Sequence, residues 1–435
     1  IVAVVSMPQT AFAATGAGVK SSVLFLQKYE QKQTKRIEDL RQRLQDSARK
    51  KHNFTEKLAN IESRKKDALK KQTGFAQTEL SRRAAMQLVA LREENPEEKF
   101  EIEDTPAYAA WKKSLSEQFT EELDDLRFEA IETYQAALRE SQDDYQIFMA
   151  IAEEIGYDAT GKATKKNDLN EIAQRLTAFL SEEKSGRQAD DERVFLANLK
   201  EISGSLFDPK TYRPSSRALL ARIAKSEYPV TTLRSLIVHR CAGDWGEDED
   251  FIDEDDLYEK CLVIRGTEFD NELNLRISNG REKYRKIKKI KLERMRIEAN
   301  DILIEKSGGS PDQPVGRVAL LESELLTSHS ICYSNFVEKI KPDSSKIFPA
   351  YLFHYLKLIH SIGVTDLLQS QTNGIRNLMI HRYLDITISV PPLSVQRELA
   401  ESISKLQNEA VNLRIQANKK LEEARSHIAN EVLKA

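Results

Sequence analysis

The sequence has few cysteines, few aromatic residues and no large excess of either charge. Its three cysteines, Cys241, Cys261 and Cys332, are widely spaced and form no CxxC pair. This spacing argues against a disulfide framework or a zinc site and is typical of buried or free thiols in a reducing cytoplasm. The formal net charge is only −3, so any binding of nucleic acid has to come from local patches.

Long apolar runs are also absent, and none approaches the length of a membrane span. The first residues, IVAVVSMPQTAFAA, imitate a signal peptide with an Ala-Phe-Ala cleavage site. The apolar run is short, Pro8 interrupts it and no basic segment precedes it, so we expect a cytoplasmic protein. Because the chain begins with Ile1 and not with Met, we expect it to start inside a longer gene product.

At 435 residues the chain should hold two to three domains. Residues 1–28 contain two strand-like runs, Ile1–Val5 and Ser21–Leu26. Two strands cannot form a core, so these runs are expected to complete the sheet of a preceding domain.

Residues 29–205 are charged, rich in Ala, Glu, Lys, Gln and Leu, and almost free of strand signals. An imperfect heptad from Tyr29 to Lys71 predicts one long helix with a helical partner. Thr105-Pro106 predicts another helix start, and an apolar stripe from Trp111 to Leu126 predicts its core face. A further helix is predicted over Asp168–Leu180, which completes a helical, coiled-coil connector over 29–205.

Phe207–Pro214, FDPKTYRP, is a cluster of helix-breaking residues that marks a second boundary. Beyond it, strand candidates alternate with helices such as Pro349–Ser361, so residues 206–392 are expected to form a mixed α/β domain. The strand candidates are Leu233–Val238, Cys261–Ile264, Ile302–Ile304, Val318–Leu321, Ile331–Val337 and Ile386–Val390.

Residues 393–435 are predicted to form one long C-terminal helix that begins near Gln396. Its apolar stripe from Leu399 to Ile428 includes several alanines, which indicates close approach of a partner helix. The predicted fold class is therefore α+β and multidomain.

Two charged runs of opposite sign lie close together in the mixed domain. Asp and Glu fill eight of the ten positions in 247–256, which predicts an exposed loop that does not touch DNA. The run 281–296 carries nine Lys or Arg residues against two Glu. We predict phosphate contact by Lys286, Lys288 and Lys289, with a merely solvated face as the alternative.

The stretch 300–322, NDILIEKSGGSPDQPVGRVALLE, is predicted to form strand, glycine turn, loop and strand. Glycines let backbone N–H groups approach an anion, and Lys and Arg supply countercharge. The candidate binding residues are Lys306, Ser307, Gly308, Gly309 and Arg317. The alternative is an ordinary hairpin with a glycine loop.

Five segments, taken in order, resemble parts of type I restriction-modification proteins. VVSMPQTAFAATGAGVKSSVLFL and the run Tyr145–Ile172 resemble the late part of the N6-adenine DNA methyltransferase subunit. LFDPKTYRP resembles the start of a specificity subunit. ANDILIEKSGG and QTNGIRNLMIHRYLDITISVPPLSVQRELAESI resemble its target recognition domain. Residues 31–141 match only as generic helix.

The resemblance implies a modification–specificity fusion, type I-like or type IIG, that recognises a DNA sequence and directs adenine-N6 methylation. Residues 1–28 would be a remnant of the methyltransferase sheet, followed by the connector, the target recognition domain and a spacer helix. The implied partners are double-stranded DNA, an upstream methyltransferase domain, and a restriction subunit or second copy bound through the long helices. S-adenosylmethionine would be the cofactor of the full-length protein.

The sequence departs from such methyltransferases in one important respect. It contains neither their glycine-containing cofactor loop nor their Asn/Asp-Pro-Pro-Tyr/Phe motif, since Asn95-Pro96 precedes Glu and Pro391-Pro392 follows Val390. We therefore assign no catalytic, cofactor-binding or metal-binding residue to this chain. The resemblance places Phe12 close to the pocket of the extruded target base, with an ordinary core Phe as the alternative.

A second loop, Gln369–Asn377, is dense in amide, hydroxyl and guanidinium groups. Gln and Asn pair with adenine, and Arg with guanine, in the major groove. The candidate DNA-binding residues here are Gln371, Thr372, Asn373, Gly374, Arg376 and Asn377. The alternative is a polar helix-capping loop.

Two other functions remain open at the level of sequence. The chain could be a helical scaffold or adaptor whose mixed domain binds protein, or an intact specificity protein with an unusual N-terminal extension. The sequence also leaves open whether the long helices pair within one chain or between two.

Overall fold

The computed structural model describes residues 1–16, 21–73, 75, 79–181, 191–202, 207–253, 256–269, 275–277, 280–309, 313–372, 375–428 and 432. The described α-helices are α1 (Gln31–Lys51), α2 (Phe54–Lys70), α3 (Glu79–Glu94), α4 (Pro106–Glu140), α5 (Leu169–Leu180), α6 (Pro209–Tyr212), α7 (Pro214–Ala224), α8 (Lys289–Met295), α9 (Ser323–Ser328), α10 (Pro349–Ser361), α11 (Ile380–Leu384) and α12 (Leu393–Ile428). The described strands are β1 (Ala3–Ser6), β2 (Ser22–Phe25), β3 (Gln146–Ile151), β4 (Ile155–Tyr157), β5 (Ala163–Asn167), β6 (Val194–Asn198), β7 (Val230–Thr232), β8 (Ile237–Ala242), β9 (Tyr258–Ile264), β10 (Tyr284–Lys288), β11 (Ile302–Glu305), β12 (Ser307–Gly309), β13 (Val318–Leu320), β14 (Ile331–Tyr333), β15 (Val337–Pro342), β16 (Gln369–Thr372), β17 (Ile375–Leu378) and β18 (Thr387–Ser389). The mixed α+β prediction is confirmed.

The N-terminal strands belong to a four-stranded sheet whose other two strands come from much later in the sequence. The strand order is β2-β1-β3-β6, with β1 antiparallel to β2 and parallel to β3. Apolar side chains cover both faces: Ile172 and Leu176 of α5 lie on one, and Tyr212 of α6 lies on the other. β1 is buried in this sheet, whereas all four residues of β2 are exposed, so the expectation that a preceding domain completes the core stays a prediction. That β1 and β2 derive from a methyltransferase sheet stays a prediction.

The same sheet corrects the prediction that residues 29–205 are helical throughout. β3, β4, β5 and β6 all lie within this range, although the helix predicted over Asp168–Leu180 is present as α5. The run 147–151, IFMAI, is short and uniformly apolar. Periodicity cannot distinguish such a run from a buried helical segment, and here pairing with β1 decides that it is a strand.

The predicted long helix from Tyr29 to Lys71 is two helices. His52 and Asn53 separate α1 from α2, and Asn53 has a φ of +49°, a left-handed conformation that ends regular helix. Both helices pack against α4 within the same chain. Ile61 of α2 is buried with Phe119 and Leu126 of α4.

The helix predicted to start at Thr105-Pro106 is confirmed as α4. The Thr105 hydroxyl accepts from Tyr108 N over 3.3 Å, and Pro106 occupies the first turn, where its missing N–H costs nothing. Trp111, Phe119 and Leu126 are all buried, so the predicted apolar stripe is a core face.

In the C-terminal part, one antiparallel sheet in the order β13-β11-β15-β8 carries a core on each face. Along β11, Ile302 and Ile304 face the cluster that includes Leu352 of α10, whereas Leu303 faces the cluster shared with β9. This alternation is the side-chain period of a strand covered on both faces. The hairpin predicted from 300–322 is confirmed, since Ile302 pairs with Leu320.

Several predicted boundaries in this region shift. Leu233–Leu236 forms a 3-10 turn and the strand follows it as β8, while the predicted strand Ile331–Val337 is divided into β14 and β15. The helix over Pro349–Ser361 matches α10. The three cysteines are buried and form no disulfide, as predicted.

The C-terminal helix is present, and its first residues anchor it to the mixed domain. Gln396 is buried; its Oε1 accepts from Phe348 N and its Nε2 donates to Pro391 O, each over 2.7 Å. Further along, Leu406, Leu413 and Leu421 are exposed. α10 packs against this helix, and pairing between chains through the exposed part of the stripe stays a prediction. None of the described helices is both long enough and apolar enough to cross a membrane.

A buried ion pair ties β15 to the turn before β11. Lys339 is 0% exposed, and its Nζ lies 2.9 Å from both Asp301 Oδ2 and the carbonyl oxygen of Arg296. Burial raises the pKa of Asp301 in spite of the bond from Lys339. Two residues further along β15, Lys341 makes the corresponding pair with Glu298 at the surface.

We expect Lys339→Ala to destabilise the protein by about 3–5 kcal/mol, because it leaves the buried Asp301 without its cation. Lys341→Ala is the matched control and should cost less than about 1 kcal/mol, since exposed pairs are well solvated. Denaturant unfolding followed by circular dichroism measures both. Equal costs would show that burial does not govern the Lys339 pair.

Candidate nucleic-acid interface

The two segments that the sequence predicts to contact DNA lie side by side in one small sheet. β12 pairs antiparallel with β17, and β17 pairs with β16, so the order is β12-β17-β16. The Ser307 hydroxyl donates to Asn377 Oδ1 over 2.6 Å, which joins the glycine turn to the second loop. We call this three-stranded unit the recognition sheet. The described residues of Gln369–Asn377 are therefore two paired strands and not a helix-capping loop.

Both glycines of β12 have a structural reason to be glycine. Gly308 has a φ of +97°, a conformation that other residues rarely adopt. A Cβ on Gly309 would lie 2.7 Å from both Gln313 O and Val315 Cγ1. The prediction that Gly308 and Gly309 expose backbone N–H groups to an anion stays a prediction.

Lys306 stands at the start of the recognition sheet and is held by a buried carboxylate. Its Nζ lies 3.0 Å from Glu338 Oε2, and Glu338 is only 1% exposed. Arg240 donates to the other oxygen of Glu338 over 2.9 Å and to Asp125 Oδ1 of α4 over 2.7 Å. Lys306 therefore has a structural partner in addition to its predicted role at a phosphate.

Arg317 does not lie where the prediction of a DNA contact requires. It is 6% exposed, and its guanidinium donates to both Glu305 oxygens, over 2.8 Å and 2.7 Å. It also donates to the carbonyl oxygens of Phe269 and Gly266. With these four acceptors around it, Arg317 holds the β11–β13 hairpin to the 3-10 turn at Gly266, and in this conformation it cannot reach a nucleic acid.

The second loop presents Arg376 and Asn377 on β17. Asn377 lies opposite Ser307, and Arg376 pairs with Gly309 in the strand register. Asn373 and Gly374 lie outside the described residues, and only the backbone of Gln371 and Thr372 is described, as part of β16. The DNA-binding roles of these residues stay predictions.

The basic run 281–296 is engaged with the acidic run that precedes it in the chain. Arg285 is buried against Trp245 and pairs with Asp248, and Lys291 pairs with Asp244. Lys289 lies 3.2 Å from Asp256. The described residues of 247–256 form a largely exposed loop, as predicted, and their carboxylates also neutralise neighbouring cations.

The lysines proposed as phosphate contacts share this environment. Lys286 Nζ donates to Phe251 O over 2.5 Å, and Lys288 Nζ lies 5.7 Å from the centre of the Tyr258 ring. With Lys289, all three are half-buried. The run is therefore not a simple solvated face, and its contact with phosphate remains a prediction.

An acidic stripe on α4 is a feature that the sequence reasoning missed. Glu117, Glu121, Asp125 and Glu132 recur at intervals of four and seven residues and therefore share one helix face. They contact basic side chains of the mixed domain: Arg294 lies 3.3 Å from Glu117 and 3.8 Å from Glu121, Arg240 lies 2.7 Å from Asp125, and Arg382 lies 3.5 Å from Glu132. The regular spacing of these four acidic residues in the sequence could have predicted this contact face of α4.

An aromatic contact continues the same stripe. Phe128 stacks on His381, with ring centroids 4.6 Å apart, and Arg234 lies over the Phe128 ring. Burial, with Arg240 nearby, lowers the pKa of His381. His381 belongs to α11, so α4 contacts the helix that directly follows β17 of the recognition sheet.

Phe12 lies in a 3-10 turn after β1 and is 45% exposed. The alternative of an ordinary core Phe is therefore wrong. Its place near a target-base pocket stays a prediction.

Residues 257–423 match the family model described as the type I restriction modification DNA specificity domain. The match includes all three strands of the recognition sheet as well as β9–β15 and most of α12. It covers less than half of the chain and leaves residues 1–256 outside. No finding shows a methyltransferase domain in this chain.

Three solved structures show a distant likeness. The crystal structure of the HsdS subunit from Thermoanaerobacter tengcongensis is 15% identical over 51% of this chain and 51% of that one, with a TM-score of 0.27. A structure of the type I R-M system, described for its assembly and conformational transition, is 14% identical over 61% and 58%, with a TM-score of 0.30. The crystal structure of a type I restriction-modification S subunit from M. genitalium is 16% identical over 48% and 47%, also with a TM-score of 0.30.

This chain thus spans about half the length of each of these structures. No curated protein matches the sequence. The assignment of residues 257–423 therefore rests on the family model.

We expect Arg317→Gln to destabilise the protein by about 3–5 kcal/mol, because it leaves the buried Glu305 without its cation. Arg376→Gln, in the neighbouring segment, should change the free energy of unfolding by less than about 0.5 kcal/mol, as is usual for surface substitutions. Denaturant unfolding of the two variants tests the difference. A stable Arg317→Gln protein would contradict the structural role of Arg317.

Proposed function

We propose that this chain recognises a specific sequence in double-stranded DNA as the specificity component of a type I-like restriction-modification system. The observation that carries the proposal is the family match over 257–423, within which the recognition sheet lies. The sheet adds chemical support, because it places Arg376 and Asn377 next to Ser307 and Lys306 on one unit.

The side chains of this unit suit two kinds of DNA contact. Arg reads guanine, and Asn and Gln read adenine, through hydrogen bonds in the major groove, so Arg376, Asn377 and Gln371 are the candidates for base contact. Lys and Ser side chains set the register of a protein on the phosphates. Lys306 and Ser307 take that role here, with Lys286, Lys288 and Lys289 as further candidates.

We propose that a methyltransferase domain outside these 435 residues carries out adenine-N6 methylation. The sequence contains no Asn-Pro-Pro-Tyr/Phe motif and no cofactor loop, so its residues do not fit S-adenosylmethionine and no step of methyl transfer is assigned to them. The part played by this chain is to position the enzyme on its target.

A salt-titrated binding assay on the purified chain tests recognition. We expect duplex DNA to bind with an affinity that falls steeply as salt rises, because bound Lys and Arg residues displace counterions from phosphates. Binding selection from a random duplex library should yield a preferred sequence. A complete lack of affinity would overturn the proposal and favour the scaffold or adaptor function.

Arg376→Gln separates base reading from general affinity. If Arg376 reads a base, the variant should lose about 1–3 kcal/mol of discrimination at one position of the preferred sequence. Arg127→Gln, an exposed arginine on α4, is the charge-matched control and should leave the preference unchanged. An unchanged preference in Arg376→Gln would remove Arg376 from the set of base contacts.

Asp256→Asn tests whether the basic run faces DNA. Asp256 pairs with Lys289 and Arg83, and its φ of +48° is a conformation that Asn tolerates. Removing this carboxylate should strengthen DNA binding and steepen its salt dependence if Lys289 contacts a phosphate. Glu201→Gln, in the N-terminal part of the chain, is the control for net charge. Equal binding by wild type and Asp256→Asn would place Lys289 away from the DNA.

A further inference from the structure

A cleft of about 430 Å³ lies between the N-terminal sheet and the recognition sheet. One wall comes from β1 and β2, a second from the segment 207–213 before α7, and a third from residues 366–379. The cleft thus joins two parts of the fold that are separate in sequence, and it opens beside the strands that carry the candidate base contacts.

Three cations from two of these walls meet in the cleft. Lys210 and Arg213 come from the segment 207–213, and Arg376 comes from β17. Lys210 is exposed, and Arg213 keeps 43% of its side chain exposed although its Nε donates to Ser216 Oγ over 3.3 Å. Its ion pair with Glu192 is long, at 3.9 Å.

Two carboxylates also line the cleft, and each accepts a hydrogen bond from a neighbour in sequence. Asp208 Oδ1 accepts from the backbone N of Lys210 over 3.1 Å, and Asp366 Oδ1 accepts from Gln369 Nε2 over 3.3 Å. Asp208 thereby caps the short helix α6. The lining residues therefore include three cations and two carboxylates, and the carboxylate of Glu192 lies 3.9 Å from Arg213.

The remaining surface of the cleft is largely apolar. Leu24, Phe207 and Met379 contribute to it, with the hydroxyl of Ser370 at the side. Apolar and aromatic groups next to cations suit a nucleotide unit, whose sugar and base are uncharged and whose phosphate is anionic. A purely anionic ligand such as free phosphate would leave the apolar wall unused.

We infer that this cleft is a second contact with DNA, in which Lys210 and Arg213 each bind a phosphodiester group of the strand that Arg376 touches. The inference rests on the proposed function and adds to it, because it brings the segment before α7 and the face of β2 into the interface. The DNA would then run across the junction of the two sheets and not over the recognition sheet alone.

Salt-titrated duplex binding by the full chain tests the inference with two neutralising variants. Lys210→Gln and Arg213→Gln should each reduce the slope of log affinity against log salt by about 0.9, the value for one lost phosphate contact. Arg213→Lys keeps the charge and should restore the slope. Lys165→Gln, an exposed lysine on β5, is the control for net charge and should behave as wild type.

The outcomes separate this inference from the proposed function. If the wild type binds DNA and the slope is unchanged in Lys210→Gln and Arg213→Gln, the cleft contact alone is overturned. If the wild type binds no DNA, the cleft contact and the proposed function are both overturned. Thymidine monophosphate serves as a second probe. If Lys210→Gln weakens binding of the mononucleotide but leaves duplex binding intact, the cleft is a free-nucleotide site and the DNA contact is wrong. Thermal unfolding of each variant checks that the fold is retained.

Discussion

The buried carboxylate of Glu338 is the interaction on which the arrangement of the C-terminal half depends. A charge this deep is tolerated only when cations and hydrogen bonds satisfy it, and Glu338 receives Arg240 at 2.9 Å and Lys306 at 3.0 Å. Arg240 also donates a hydrogen bond to Asp125 Oδ1 of α4. Three parts of the chain, the helical connector, strand β8 and the start of the recognition sheet, therefore meet at one carboxylate. Separating β8 would leave the buried Glu338 with Lys306 alone, and separating the recognition sheet would leave it with Arg240 alone.

Charge neutralisation within the chain also explains how a protein with a net charge of −3 can carry strongly basic segments. The acidic run 247–256 covers part of the basic run 281–296, and the stripe on α4 pairs with Arg294, Arg240 and Arg382. These contacts fix the helices to the mixed domain. Arg376 and Lys210 lie outside these contacts and line the cleft beside the recognition sheet.

Local patterns predicted single elements well and long-range partners poorly. The cap at Thr105, the helix α10 and the hairpin of 300–322 all follow from signals within a few residues. The sheet of β1 and β3 does not, because its strands are separated by more than a hundred residues of helix. The same limit affected the site. The prediction that Arg317 contacts DNA is wrong because nothing in the local sequence shows that Glu305 and two carbonyl groups surround its guanidinium.

The sequence by itself determined the mixed domain, the long C-terminal helix and the two candidate loops, since composition, breakers and periodicity act over short distances. The tertiary structure decided which charges are available to a partner. Pairing and burial depend on residues brought together from distant positions: Arg317 is enclosed, the basic run is countered by the acidic run, and Ser307 is joined to Asn377. The same convergence forms the cleft of Lys210, Arg213 and Arg376, because its walls come from three separate stretches of the chain.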